Sequence, residues 1–164
     1  MAELKLHALD GEDLAVISAH CQDAVVRVAD LALRPREDRF VLVCNRFDWT
    51  TAASAQNNKG KQDFERRRTG LRFERVKRAQ ITGLDLSKGE TVLVLLAIGF
   101  EPGNAPGGRI TLQFAAGAAI RLDVDYIEAE LKDLGAAWST GHKPDHTWAD
   151  AASAQSALDP KPAK

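Results

Sequence analysis

Apolar positions near the start of the chain recur at helical spacing. Leu14, Ile17 and Cys21 are three or four residues apart and share one face of a helix. Asp10 stands just before this stretch, where its carboxylate can accept a hydrogen bond from the free N–H groups of a first helical turn. The pattern predicts a helix over about residues 11 to 22.

The spacing changes to a period of two from Val25, which is typical of a strand. The alternation shifts phase around Ala29, and such a shift indicates a bulge. A turn over residues 35–38 leads into residues 40–44, which are apolar on both faces. We expect a hairpin whose second strand is covered on both sides or lies centrally in a sheet.

The next apolar stretches predict further strands. Residues 71–81 alternate with a phase slip, and residues 91–100 are apolar enough to occupy the centre of a sheet. Residues 110–114 and 120–124 alternate cleanly on either side of a tight link at Ala116, so they predict a hairpin.

A second helix is predicted at the end of this region. Asp125 and Glu128 have the spacing of a capping box, and Gly135 is a natural helix end. The apolar stripe of this helix would comprise Ile127, Leu131 and Leu134.

Consecutive strands without intervening helices predict an α+β fold. We expect a mostly antiparallel β-meander with an N-terminal helix and a C-terminal capping helix. Six or seven strands would permit a curled sheet or a partial barrel, as in pleckstrin-homology-like folds, although strand order does not establish closure. Residues 1–141 are predicted to form a single domain with a flexible loop at about 50–68, and residues 142–164 a disordered polar tail.

Composition excludes some classes of protein. The longest apolar run, Val92 to Phe100, has nine residues, whereas a membrane-spanning helix needs about twenty. The N-terminus lacks the pattern of a secretory signal. Cys21 and Cys44 are the only cysteines and are expected to be reduced, buried thiols. We therefore predict a cytoplasmic protein with no membrane partner.

Four stretches carry a family resemblance: Leu4 to Val28, Phe40 to Trp49, Arg66 to Phe73 and Ala119 to Trp138. They resemble a family of small proteobacterial proteins classed as a domain of unknown function. The resemblance covers nearly everything before residue 139. It implies a stand-alone cytoplasmic bacterial protein, and it brings no catalytic residue, cofactor or substrate.

Charge is concentrated in one segment. Residues 59–78 hold nine basic and three acidic side chains, an excess of +6, while the whole chain has a net charge of -1. Such a segment could contact the phosphates of a nucleic acid. The alternative is a solvated strand face whose arginines pair with Glu65, with Glu74 and with the acidic region 123–133. The binding candidates in this segment are Arg66, Arg67, Arg68, Arg72 and Arg75.

A second candidate surface interrupts the apolar strand at 40–44. Arg46 and Asp48 would lie on one face, where they could pair, and Phe47 and Trp49 on the other. Trp49 could be an aromatic anchor for a partner, with Arg46 meeting an acidic group. The alternative is that Phe47 and Trp49 close the core.

Motifs for catalysis or cofactor binding are absent from the sequence. There is no Gly-x-Ser-x-Gly, Walker loop or dinucleotide fingerprint. His142 and His146 could flank a metal in principle, but their polar, proline-containing surroundings favour a solvated tail. We therefore predict no catalytic residue, metal or cofactor. The preferred function is a non-enzymatic binding or protein-interaction module for an unknown partner or a second copy, and the alternative is an RNA- or nucleic-acid-associated accessory protein using residues 59–78.

Overall fold

The computed structural model describes residues 3–48 and 66–135. In this part of the chain it contains one α-helix, ten strands and three short 3-10 turns. The helix α1 spans Gly11–His20, and the 3-10 turns are Val28–Asp30, Pro35–Glu37 and Ala115–Gly117. The strands are β1 Lys5–Ala8, β2 Ala24–Arg27, β3 Leu31–Arg34, β4 Arg39–Phe47, β5 Arg66–Phe73, β6 Val76–Thr82, β7 Val92–Pro102, β8 Gly108–Phe114, β9 Ala119–Val124 and β10 Ala129–Asp133.

The strands form one antiparallel sheet. Its order is β1-β10-β5-β4-β2-β7-β8-β9-β6, with β3 paired to the first half of β4. The path begins at β1 and ends at β6, so the sheet is open. The prediction of a mostly antiparallel α+β fold is confirmed, whereas the partial barrel considered from the sequence does not close.

The first helix was predicted correctly. The Asp10 carboxylate accepts a hydrogen bond from the Asp13 amide at 2.8 Å, which caps the first turn. Leu14 and Ile17 are buried against the sheet. After β2, the phase shift that indicated a bulge is a 3-10 turn, Val28–Asp30, and β3 and β4 form the expected hairpin.

β4 is covered on both faces, as its sequence indicated. Phe40 and Leu42 point into the main core, while Val41 and Val43 belong to a second apolar cluster on the opposite face. β7 lies between β2 and β8, close to the middle of the sheet order. β8 and β9 form the predicted hairpin.

The predicted C-terminal helix is wrong. Residues Ala129–Asp133 are the strand β10, which pairs with β1 on one side and β5 on the other. The apolar residues of this segment fit a period of two as well as a helical period. The segment forms a strand because it pairs with a strand on each side. Asp125, predicted as the cap of this helix, donates its backbone amide to the carbonyl of Arg75.

The predicted loop at 50–68 is also too long, because residues 66–68 begin β5. The remainder of that loop and the polar tail 142–164 lie outside the described residues. Within residues 3–48 and 66–135, no helix has the length and apolar character needed to cross a membrane.

Candidate functional site

Polar side chains replace apolar ones at one end of the inner sheet face. Arg46 on β4 is directly opposite Arg67 on β5, and Thr69 on β5 is directly opposite Asp133 on β10. Directly paired residues share a face of the sheet, and this face continues the row of Phe40, Leu42 and Cys44 that packs in the core. We call Arg46, Asp48, Arg67, Thr69 and Asp133 the inner polar cluster.

Asp133 is the hub of the inner polar cluster. Its carboxylate accepts from Arg46 Nε at 3.0 Å, from Arg46 Nη2 at 2.9 Å and from the Thr69 hydroxyl at 2.8 Å. It also accepts from the amide of Leu4 at 2.9 Å. The Arg67 guanidinium donates to Asp48 at 2.9 Å. These bonds join the N-terminal segment, β4, β5 and β10 at one point.

Electrostatics keep this hub ionised. Burial alone would lower the pKa of Arg46, but the hydrogen bond and the charge of Asp133 outweigh burial and raise that pKa. Burial alone would raise the pKa of Asp133, but its hydrogen bonds from Arg46, Leu4 and Thr69 lower it. Both groups are therefore charged at neutral pH, and the bidentate contact holds them in a fixed geometry.

The environment of His20 and Cys21, two ionisable groups beside Asp133, favours their neutral forms. Burial, and then the charge of Arg46, lower the pKa of His20. A hydrogen bond to the Cys44 thiol, together with burial, holds the pKa of the Cys21 thiol well above its usual range. A protonated, buried thiol is a poor nucleophile. Among the residues that the structure describes, no group of three or more His, Cys, Asp and Glu side chains is placed to hold a metal ion.

A second charged network lies on the outer face of β10, β5 and β4. The Arg72 guanidinium pairs with Glu130 and lies 3.0 Å from the Glu74 carboxylate. Glu74 also accepts from Arg39 at 3.0 Å, and Glu130 is 3.1 Å from Nε2 of His7. Each carboxylate thus contacts two or more basic side chains. These contacts neutralise most of the positive charge on this face.

Two further arginines of the basic segment contact aromatic rings. The Arg66 guanidinium lies 5.7 Å from the ring centre of Phe47. Arg75 lies 5.1 Å from that of Tyr126 and donates to Glu128 at 3.1 Å, and this hydrogen bond raises the pKa of Arg75. Both side chains are thereby held against the sheet.

The structure does not gather the seven predicted binding residues on one exposed surface. Arg46, Arg67 and Arg68 are interior, at 3%, 3% and 8% exposure. Arg66 and Arg72 are half-buried, Arg75 is exposed, and Trp49 lies outside the described residues.

The expected pairing of Arg46 with Asp48 is replaced by two longer-range pairs, Arg46 with Asp133 and Asp48 with Arg67. The alternative, pairing with Glu74 and the acidic region after residue 123, is present at Arg72 and Arg75. Binding by the seven residues stays a prediction.

Sequence reasoning missed the free edge of β6, the side of Val76–Thr82 that faces away from β9. The amide of Val76 donates to the carbonyl of Asp38 at 2.9 Å, so this edge is free after its first residue. Within the described residues, β6 has a partner strand on one side only. Ala79 and Ile81 pack against the main core but are only half-buried, because the sheet stops beside them. The charged Lys77 and Arg78 are the available signal, since charged side chains are common on edge strands.

A family model described as "Protein of unknown function (DUF2948)" matches residues 4–146. The chain belongs to this family. The match confirms the resemblance found in the sequence, and it includes every strand of the sheet, the inner polar cluster and the free edge of β6. Searches of curated proteins and of solved structures found no match.

Membership of DUF2948 establishes no function, so the geometry of the described residues is the basis for a functional proposal. The inner polar cluster of this DUF2948 protein is buried and fully bonded, which suits a structural role. The free edge of β6 offers both backbone groups without a partner strand and apolar surface, and it is longer than the corresponding edge of β3.

Proposed function

We propose that this protein is a cytoplasmic, non-enzymatic protein-interaction module that binds an extended segment of a partner protein along the free edge of β6. The observation that carries the proposal is the half-buried state of Ala79 and Ile81. Both side chains belong to the inner face of the sheet, and β6 lacks a strand on its outer side among the described residues. An added strand would complete their burial.

Strand addition suits this edge physically. An edge strand presents a row of N–H and C=O groups that another chain can bond, and alternate side chains of the added strand supply specificity. β6 has seven residues, whereas the other strands with a single partner strand, β1 and β3, have four each. The longer edge offers more backbone bonds, and β1 is further occupied by α1, which packs beside it.

Charged side chains on an edge also protect it against unwanted pairing. The Lys77 ammonium group forms an ion pair with the Asp38 carboxylate at 2.8 Å, so the protein itself compensates part of the charge on β6. If the charges only protect the edge, β6 should have no specific partner in cells. If the edge pairs selectively, a discrete partner should be found on β6.

Nucleic-acid binding is the weaker proposal. Of the basic residues in the described part of the segment 59–78, Arg67 is buried against Asp48, and Arg72 and Arg75 contact carboxylates. A polyanion would have to displace these carboxylates to reach Arg67, Arg72 and Arg75, which leaves Arg78 as the exposed arginine of the segment that forms no ion pair among the described residues. A protein strand on β6 requires no such displacement, which supports the interaction module.

Site-specific photo-crosslinking in the source cells tests the proposal. A photoreactive amino acid would replace Gln80, which lies on the outer face of β6, and in a matched control would replace Thr111, which lies on the same face of the internal strand β8. We expect a discrete crosslinked partner from position 80 only. Equal crosslinking from both positions would show that the edge has no special role.

Proline variants then test the crosslinked segment with purified protein. Backbone N–H groups of successive residues in a strand point to opposite edges, so one of Gln80→Pro and Ile81→Pro removes a donor from the free edge and keeps the bonds to β9. Circular dichroism identifies the variant that stays folded. That variant should lose the partner segment, and unchanged affinity would contradict strand addition.

A further inference from the structure

The outer face beside the free edge of β6 carries arginines from three strands. Arg78 on β6 is directly opposite Asp123 on β9, which is directly opposite Arg109 on β8. Arg121 on β9 is directly opposite Gln80 on β6. Because directly paired residues share a face, these side chains stand on one surface. We call Arg78, Arg109 and Arg121 the outer arginine row.

Arg109 pairs with one of the two carboxylates near this row. Asp123 accepts from Arg109 Nε at 2.9 Å, and Glu101 lies directly opposite Arg109 on the far side, on β7. Arg121 donates to the Thr82 hydroxyl, a neutral partner, at 3.2 Å. Among the described residues, neither Arg78 nor Arg121 forms an ion pair with a carboxylate.

The two arginines of the row without an ion pair among the described residues are those closest to the edge. Arg78 is exposed on β6 itself, and Arg121 is one strand behind it. Lys77 is different, because Asp38 at 2.8 Å and Asp125 at 3.6 Å surround its ammonium group. A strand added to β6 would therefore meet positive charge on its outer side at Arg78 and Arg121.

The inner side of the same edge is apolar. Ala79 and Ile81 are half-buried there, and Leu84, just beyond the end of β6, packs against the same core. Successive side chains of a strand point to opposite faces, so an added strand alternates between the two environments.

We infer that the segment bound by β6 alternates acidic and apolar side chains, with its carboxylates facing Arg78 and Arg121 and its apolar groups facing Ala79 and Ile81. This inference rests on the proposed function and specifies the partner. Charge complementarity across paired strands selects the acidic segment, and backbone bonding with apolar burial holds it.

Synthetic strands test the inference with the full-length protein. Three fluorescent nine-residue peptides would alternate Val with Glu, Val with Gln, or Val with Lys, and fluorescence anisotropy would measure their affinities in 20 mM and 500 mM salt. We expect the Glu peptide to bind on the order of tenfold more tightly than the Gln peptide at low salt. The Lys peptide should bind most weakly, and high salt should reduce these differences.

Paired variants locate the charge effect. Arg78→Gln should remove most of the preference for the Glu peptide, whereas Lys77→Gln, whose charge is already compensated, should leave it unchanged. A preference that survives Arg78→Gln and Arg121→Gln together would place acidic binding elsewhere and overturn the inference.

The remaining outcomes separate this inference from the proposed function. Equal, edge-dependent affinities of the Glu and Gln peptides would overturn the acidic partner and leave strand addition standing. If none of the three peptides binds, both proposals fail for this edge. Binding of a single-stranded RNA oligomer that requires Arg78, with no peptide binding, would instead favour a polyanion.

Discussion

The Arg46 guanidinium donates two hydrogen bonds to the Asp133 carboxylate, at 3.0 and 2.9 Å, across 87 residues of chain. Both residues are nearly inaccessible to solvent, at 3% and 1% exposure. Taking two charges out of water is costly, and their attraction offsets that cost only while both partners are present. The pair therefore links β10 to β4 across β5, in addition to the backbone pairing of β10 with β5.

Loss of the Asp133 carboxylate should strongly destabilise the fold. Asp133→Ala leaves Arg46 charged and buried, so we expect the free energy of unfolding to fall by about 3–5 kcal/mol. Denaturant titration measures it. As a control, Lys77→Ala removes an ion pair of exposed side chains and should change stability little. A small effect of Asp133→Ala would show that water or another group compensates Arg46.

Stability should decline in acid in two steps. Folding lowers the pKa of His20 below its ordinary 6.5 and that of Asp133 below its ordinary 3.8. A lowered folded-state pKa gives stability that is complete above the ordinary value and is lost as pH falls through the folded value. His20→Gln should therefore flatten the first decline, just below pH 6.5, and leave the second. Denaturation midpoints between pH 7.5 and 3 measure this, and identical profiles would contradict the role of His20.

Lys132 distinguishes a strand from a helix at residues 129–133. It lies directly opposite Lys5, and like charges at paired strand positions are destabilising. Val is also favoured in strands and disfavoured in helices, so we expect Lys132→Val to raise the free energy of unfolding by up to about 1 kcal/mol. Lys132→Ala removes the charge but lacks the strand preference of Val, so it should raise the free energy of unfolding by less. Destabilisation by Val relative to Ala would favour the helix.

Local patterns correctly predicted the elements whose contacts are local. The cap at Asp10 and the apolar face of α1 lie within one helix, and β8 and β9 adjoin each other in the chain. The helix prediction for residues 129–133 failed because the strands that pair with this segment are distant in the chain. Leu131 is directly opposite Leu6 on β1 and Leu71 on β5, and neither neighbour is visible in a local pattern.

The candidate site also depends on contacts between residues that are distant in the chain. The sequence singled out Arg46 and the basic segment, but it could not show that Arg46 faces Asp133 in the interior. The free edge of β6 depends on the sheet order as a whole. β6 follows β5 in the chain but pairs with β9, and only the assembled sheet shows which strand is terminal.

Gly108 should tolerate no side chain. A Cβ atom there would lie 2.4 Å from the carbonyl oxygen of Glu101 and 2.6 Å from the ring of Phe100, so the backbone at the start of β8 would have to shift. We expect Gly108→Ala to lower the free energy of unfolding by about 1–3 kcal/mol, a typical cost of overpacking. Gly99→Ala, where nothing lies within 4 Å, is the control and should be nearly neutral. Equal losses would show that the strand pairing relaxes around Gly108.

Ile81 and Ile120 separate binding from stability at the free edge of β6. They are directly opposite each other in the sheet, but Ile120 is fully buried and Ile81 half-buried. Ile120→Ala should cost about 2–5 kcal/mol of unfolding free energy, as for other core truncations, and Ile81→Ala clearly less. If a partner strand covers Ile81, Ile81→Ala should weaken binding of the alternating Val and Glu peptide several-fold in protein that remains folded. Unchanged peptide affinity, measured by anisotropy, would mean that the half-exposed isoleucine is only an incomplete part of the core.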